Sequence, residues 1–186
     1  MALTFEDIRD LFARHGAAQY SGEPVTHLEH ALQTAHLAEQ SDADDELVTA
    51  CLLHDLGHLL SQQASGMPET PSLHGIDDTH QYFAIPFLRG LFPPRLLGAI
   101  QLHVDAKRYL CQARPEYHGK LSDDSKRSLV LQGGVFSADE ALAFINAPGA
   151  QDAVRLRLWD DLAKQADFRT PTLAHFLERA RRCVLA

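Results

Sequence analysis

Residues 51–60 read CLLHDLGHLL. His54 and Asp55 stand side by side inside an apolar run of Leu52, Leu53, Leu56, Leu59 and Leu60, so the segment reads as buried. A carboxylate in such surroundings is costly unless it is paired or bound to a metal. One imidazole beside one carboxylate is a donor set that suits hard or borderline divalent ions. Upstream, Asp44, Asp45 and Glu46 favour a helix start by opposing the macrodipole. Gly57 weakens the helix soon after the pair. His58 follows His54 by one turn, on the same face. For an isolated His–Asp dipeptide, a buried hydrogen bond without metal is the commoner outcome. The rest of the chain decides between the two.

A chain of 186 residues fits one domain, spanning 1–186, and can bury a sizeable core. Its formal charge is −8, and no Lys/Arg cluster is long enough to track a phosphate backbone, which argues against nucleic-acid partners. A small anion held by one or two cations remains compatible with that charge. Cys51, Cys111 and Cys183 are far apart and odd in number, as expected for reduced thiols in a cytoplasmic protein. The N-terminal stretch MALTFEDIRD has no basic, apolar signal-peptide pattern, and no apolar run reaches membrane-spanning length. A monomer or small homo-oligomer is expected. The 11 histidines are the unusual count, and their placement carries most of the information.

Taken in order, Thr4 to Ala18 predicts an amphipathic helix with Phe5, Ile8, Leu11 and Phe12 on one side. Tyr20–Pro24, YSGEP, is a turn. Thr26 and Glu29 form a capping box that opens the next helix. Its apolar stripe is Leu28, Ala31, Leu32, Ala35 and Ala38, and His30 lies roughly opposite. Either His30 is exposed or the helix is buried on two sides. Periodicity alone does not choose His30 over His27 or His36. Ser61–Leu73 predicts a loop on the rim of a site. Asp77 and Asp78 open a helix carrying His80, which Pro86 kinks or ends. Pro93 and Pro94 start a helix on which His103 and Lys107 share a face. Leu121–Gly134 begins as a polar loop carrying Ser125 and Ser128. Ser137 and Glu140 form a second capping box. A helix near Gln151–Phe168 carries Arg157, Trp159, Asp160 and Asp161. Thr170–Pro171 starts the last helix, which runs to about Val184. No strand-like alternation is sustained. The expected fold is all-α, with roughly seven to nine helices by counting capped periodic segments.

His30, His54–Asp55, His80, His103 and Asp160 come from five helical segments, and such residues can converge on one interior site of a helical bundle. Their order resembles that of the HD-domain superfamily. The stretches YSGEP, LEHALQTAH, ADDE…ACLLHDLGH, GIDDTH, HVDAKRYLC and SLVLQGG resemble more specifically the HD-domain oxygenases of the PhnZ type. These are mixed-valent di-iron enzymes that cleave the carbon–phosphorus bond of 1-hydroxy-2-aminoethylphosphonates, with a branch acting on the trimethylammonium analogue. myo-Inositol oxygenase is a more distant relative. The likeness covers about Tyr20 to Asp160. It implies an HD-domain helical bundle that holds two Fe ions as an Fe(II)/Fe(III) pair and takes O2 as co-substrate. It also implies that His30, His54, Asp55, His80, His103 and Asp160 are the metal ligands, with Asp55 bridging. Lys107, Arg157 and Ser125 would hold the phosphonate. Tyr20 would occupy an iron at rest and leave when substrate binds, Glu23 would sense the substrate ammonium, and His58 would stand near the reacting carbon.

Each role has a plainer alternative. Lys107 can be a solvated helix residue, Arg157 a partner for Asp161 at i, i+4, and Tyr20 a core anchor. Ser128 competes with Ser125. His15, His27, His36, His74, His118 and His175 have no motif support and read as surface or structural, and Trp159 reads as core. A rival enzyme reading is a metal-dependent phosphohydrolase, in which metal-bound hydroxide attacks a phosphate ester. A third is a degenerate domain that only senses a ligand.

Overall fold

A computed structural model describes residues 3–65, 70–77 and 79–185. Over these residues the chain is helical, and its only β-type pairing is an isolated bridge between Gln19 and Thr26. Helix α1 is Phe5–His15, α2 His27–Gln40, α3 Asp45–Leu53, α4 Leu56–Ser65, α5 His80–Phe83 and α6 Ile85–Leu88. The 20-residue α7, Pro94–Ala113, is followed by α8 Tyr117–Lys120, α9 Asp123–Leu131, α10 Ala138–Ile145, α11 Ala150–Leu162 and α12 Leu173–Arg181. Helix α7 is the spine, packed against α11, α3 and α10, while α2 packs against α3 and α11.

The local signals explain most of these boundaries. Thr26 and Glu29 cap α2 reciprocally, as Ser137 and Glu140 cap α10. Pro93 and Pro94 stand at the start of α7, where a missing N–H costs nothing. The core is built from α3, α4, α6, α7 and α12: Leu47, Leu52, Leu53, Leu56, Leu59, Leu88, Leu96, Ile100 and Phe176 are fully buried. Each such side chain contributes roughly 1.5–3 kcal/mol by leaving water. Helix α2 is buried on both sides, with His30 at 0 % exposure. Trp159 packs on the edge of the core beneath the Arg155 guanidinium.

Several expectations need correction. The His54–Asp55 pair does not ride on one continuous helix, because α3 stops at Leu53 and α4 restarts at Leu56. Gly57, read as weakening the helix after the pair, is itself helical. It lies in the first turn of α4, where a Cβ would meet the backbone oxygen of His80 at 2.0 Å. The loop predicted over Ser61–Leu73 is helical through Ser65 and holds a 3₁₀ turn at Pro71–His74, and residues 66–69 lie outside the described residues. The helix bearing His80 starts at His80 itself behind Thr79 at φ +48°, and Asp78 is also outside the described residues. Ser125 and Ser128 sit on α9 rather than a loop. Ser122 caps that helix and Asp123 and Asp124 fill its first turn, so its polar start is helix-opening chemistry. Helix α11 ends at Leu162, well short of Phe168. The last helix is capped by Thr172 instead of Thr170 and ends at Arg181. The described residues hold twelve α-helices, because the four-residue turns α5, α6 and α8 escape periodicity counting.

Candidate metal centre and anion pocket

Asp55 is the hub. Its Oδ2 lies 3.4 Å from His54 Nε2 and 3.6 Å from His30 Nε2. Its Oδ1 lies 3.4 Å from His80 Nε2, 3.7 Å from His103 Nε2 and 3.8 Å from His58 Nε2. One carboxylate therefore faces two sets of imidazoles with different oxygens, the posture of a bridging ligand. Asp160 completes the first set, with Oδ1 3.4 Å from His30 Nε2. Donor atoms of His30, His54 and Asp160 lie within 4.8 Å of one another, as do those of Asp55, His58 and His80.

Tautomer logic tests whether these groups suit metal ions. His30 Nδ1 meets Ala163 O at 2.9 Å, His54 Nδ1 meets Cys51 O at 2.8 Å and His103 Nδ1 meets Ile100 O at 2.6 Å. A carbonyl only accepts, so each Nδ1 carries the proton and each Nε2 of the neutral ring presents a lone pair. Yet His30 and His54 bring their Nε2 atoms to 3.2 Å, and His80 and His103 bring theirs to 3.1 Å. For His30 and His54, whose tautomers are both fixed, lone pairs facing one another at that distance need a shared cation. Two nitrogens about 2.1 Å from one ion and at right angles are about 3 Å apart. Asp55 Oδ2 and Asp160 Oδ1 are buried without a hydrogen-bond donor, which a metal would also resolve. The backbone carbonyls behind the rings are the outer contacts that orient metal-bound histidines.

Electrostatics agree. Burial alone would raise the Asp55 carboxyl, but His54, His58, His80 and His30 together hold it well below the usual range. For Asp160, burial is likewise overridden, chiefly by Arg157. Burial, and then the neighbouring histidines, push His103 well below the ordinary imidazole value. His54 is lowered too, by burial first. Ionised carboxylates and neutral imidazoles are the ligand-competent forms.

A cleft opens beside these ligands, lined by Tyr20, His58, Lys107, Ser125, Ser128 and Arg157 among others. Lys107 is 2 % exposed; its Nζ donates to Ser128 Oγ at 2.8 Å and to Ser125 O at 3.4 Å. Burial, reinforced by Arg157, lowers its pKa to about 7. Arg157 pairs with Asp160 Oδ2 at 2.8 Å and with Asp161, and its Nη2 donates to Ser125 Oγ at 3.4 Å. Tyr117 supports this cation from behind, accepting from Arg157 Nε at 3.3 Å and donating to Asp161. Lys107, Arg157 and the two serine hydroxyls line one cleft, a donor set that suits a small anion.

Tyr20 stacks on His30, with ring centroids 4.0 Å apart. Burial first, then Asp55 and Asp160, push its phenol well above the ordinary value. Its turn contains Ser21 at φ +44° and Gly22 at φ +76°. His58 stacks on His80, with centroids 4.0 Å apart. Glu23 does not line the cleft; it points to Lys164, 3.6 Å away. His27 is buried against Tyr20, whereas His74, His118 and His175 are exposed. The structure thus brings together the six predicted ligands with Tyr20, His58, Lys107, Ser125 and Arg157, and sets Glu23 at the margin. Sequence reasoning did not single out Lys164 or Tyr117. Lys164 had one usable signal, its i, i+4 spacing from Asp160. For Tyr117 there was none.

Comparison with known proteins fits this geometry. The chain is 38 % identical over 183 residues to 1-hydroxy-2-(trimethylamino)ethylphosphonate dioxygenase, glycine-betaine-forming, of Leisingera caerulea, covering 96 % of this chain and 89 % of that one. It is 39 % identical over 175 residues to hydroxymethylphosphonate dioxygenase of Gimesia maris, covering 94 % and 85 %. Residues 27–132, which carry five of the six ligands, match the model for the HD domain, and the chain belongs to that family.

Proposed function

We propose that this chain is a single-domain, O2-dependent di-iron oxygenase that cleaves the carbon–phosphorus bond of a 1-hydroxyphosphonate. The substrates that fit the reading are 1-hydroxy-2-aminoethylphosphonate and its trimethylammonium analogue, giving phosphate and glycine or glycine betaine. The observation that supports the reading is that Asp55 faces two groups of histidines with different oxygens, beside a cleft lined by Lys107, Arg157, Ser125 and Ser128. The names of the two relatives supply the reaction class.

Two irons would supply O2 activation and polarise the substrate hydroxyl. The chain's own residues do the rest. Lys107 meets the phosphonate as a point charge and Arg157 as a fork, while Ser125 and Ser128 donate or accept hydrogen bonds at its oxygens. This fixes C1 over the ligand cluster, beside His58. Tyr20, stacked on His30 at the mouth, covers the ligands until substrate enters, and its turn then withdraws. Each turnover consumes one O2, oxidises C1 to a carboxylate, transfers phosphorus to phosphate and releases one proton.

The phosphohydrolase alternative uses the same metals and cations. Its distinguishing product is phosphate from esters without O2. The test is iron content, O2 uptake and phosphate release with a 1-hydroxyphosphonate, each run with and without air. Phosphate appearing only in air, matched mole for mole by O2 uptake, is expected. Air-independent phosphate release from esters would overturn the reading in favour of a hydrolase, and no turnover of either would leave a binding domain.

A further inference from the structure

Lys164 has no part in the reading above, yet it joins two parts of the site. It follows α11, one turn beyond Asp160. Its Nζ stands 3.6 Å from Glu23 Oε1, donates to Ser125 Oγ at 3.3 Å and lies 5.8 Å from the centroid of the Tyr20 ring. The side chains of Lys164 and Glu23 are only 12 % and 15 % exposed, so this ion pair is shielded far more than a surface one. Glu23 is held in place by its turn. Its N–H donates to Tyr20 O at 2.7 Å, and its carbonyl accepts from Gln19 Nε2 at 3.2 Å.

We propose that Lys164 masks Glu23, and so lets the pocket accept 1-hydroxyphosphonates that lack an ammonium group alongside those that carry one. The inference rests on the reading that a phosphonate sits at Ser125. A half-buried, unneutralised carboxylate at the margin of that subsite would repel the incoming phosphonate and reward any substrate bearing a cation. With Lys164 in place the carboxylate is already neutralised. A substrate ammonium then gains Glu23 only by displacing the lysine, which finds its replacement partner in the phosphonate at Ser125. A substrate with an uncharged tail leaves the Lys164–Glu23 pair intact and strands no charge. Lys164 is thus a specificity-determining positioning residue, acting through Glu23.

The test measures calorimetric affinities of the iron-loaded protein, without O2, for 1-hydroxy-2-aminoethylphosphonate and hydroxymethylphosphonate. In the unmodified protein the two affinities should lie within about tenfold of one another. Lys164→Met should shift the ratio about tenfold or more toward the amino compound. Lys164→Arg should keep it near the original, and Glu23→Gln should abolish the shift when combined with Lys164→Met. Circular dichroism verifies that each variant is folded. Equal weakening of both ligands by Lys164→Met would reduce Lys164 to an ordinary phosphonate contact and overturn the proposal, as would no change in either. O2 uptake is read separately. Its absence with both compounds would sink the oxygenase reading while the affinity ratio still decides the role of Lys164.

Discussion

On the two-metal reading proposed above, replacing Gly57 with alanine should cost the protein one metal while leaving the fold in place. A Cβ at Gly57 would stand 2.0 Å from His80 O, 2.7 Å from His80 C and 2.8 Å from His80 Cα. All three are backbone atoms, so no rotamer change relieves the clash. Ordinary contact begins near 3.4 Å, so the start of α5 must retreat from α4 by about 1.4 Å (3.4 less 2.0). His80 is the first residue of α5, and its Nε2 stands 3.4 Å from Asp55 Oδ1 and 3.1 Å from His103 Nε2. Metal–ligand distances tolerate about 0.2 Å, several times less than the forced displacement. The set formed by His30, His54 and Asp160 does not involve α5 and should survive. Overpacking of this kind costs about 1–3 kcal/mol, within the stability of an ordinary domain. Metal analysis after iron loading should therefore fall from two ions per chain to one. The half-spin electron paramagnetic resonance of a coupled Fe(II)/Fe(III) pair should vanish, and far-UV circular dichroism should stay unchanged. Two irons and an intact resonance in Gly57→Ala would refute the argument that the α4–α5 approach positions His80.

Three further outcomes are expected. Lys107→Ala should lower kcat/KM for a hydroxyphosphonate by about 2–3 kcal/mol, the range for charge-assisted hydrogen bonds, with metal content unchanged; normal kinetics would return Lys107 to a structural role. Because burial lowers Lys107 to about 7, it is cationic below that pH and neutral above it in the free protein. Phosphonate affinity should therefore fall as pH rises through about 7. Lys107→Arg, measured beside it to cancel the ligand's own ionisation, should extend binding to higher pH, and identical profiles would refute the assignment. Tyr20→Phe should keep both irons but hasten loss of the mixed-valent resonance in air without substrate, and an unchanged decay would leave Tyr20 without a protective role.

The six candidate ligands were assigned through the resemblance to HD-domain oxygenases, and local sequence supported only some of them. His54 and Asp55 sit in an apolar run, and His103 and Lys107 share one helix face. His30 was ambiguous, since it lies opposite the apolar stripe of α2; only the second layer formed by α11 makes that face interior. The anion pocket was half legible. Arg157 and Ser125 stand out in the sequence, but the start of α9 reads as a polar loop because Ser122, Asp123 and Asp124 are both loop-like and helix-opening. Lys164 had only its i, i+4 spacing from Asp160 as a signal, which says nothing of its role. Its importance comes from Glu23, more than a hundred residues away in sequence, and no periodicity connects the two.

The break between α3 and α4 shows why a buried dipeptide can be a metal hub at all. In a continuous helix, adjacent side chains leave the axis about 100° apart and do not face each other. Here His54 Nε2 and Asp55 Oδ2 converge to 3.4 Å. The carbonyl of Cys51 is the acceptor that a continuing α3 would offer to the Asp55 N–H. It takes the His54 Nδ1–H at 2.8 Å, which fixes the tautomer that turns the Nε2 lone pair toward Asp55 and the candidate metal position. The α-helix is interrupted at these two residues and resumes at Leu56. Gly57, one residue further on, then lets His80 close the second set from the other side. The glycine that reads as a helix weakener is a spacer, and α3 ends at Leu53, four residues before it. The ligand geometry and the backbone interruption are therefore one feature, placed where the apolar run would otherwise have been a single buried helix.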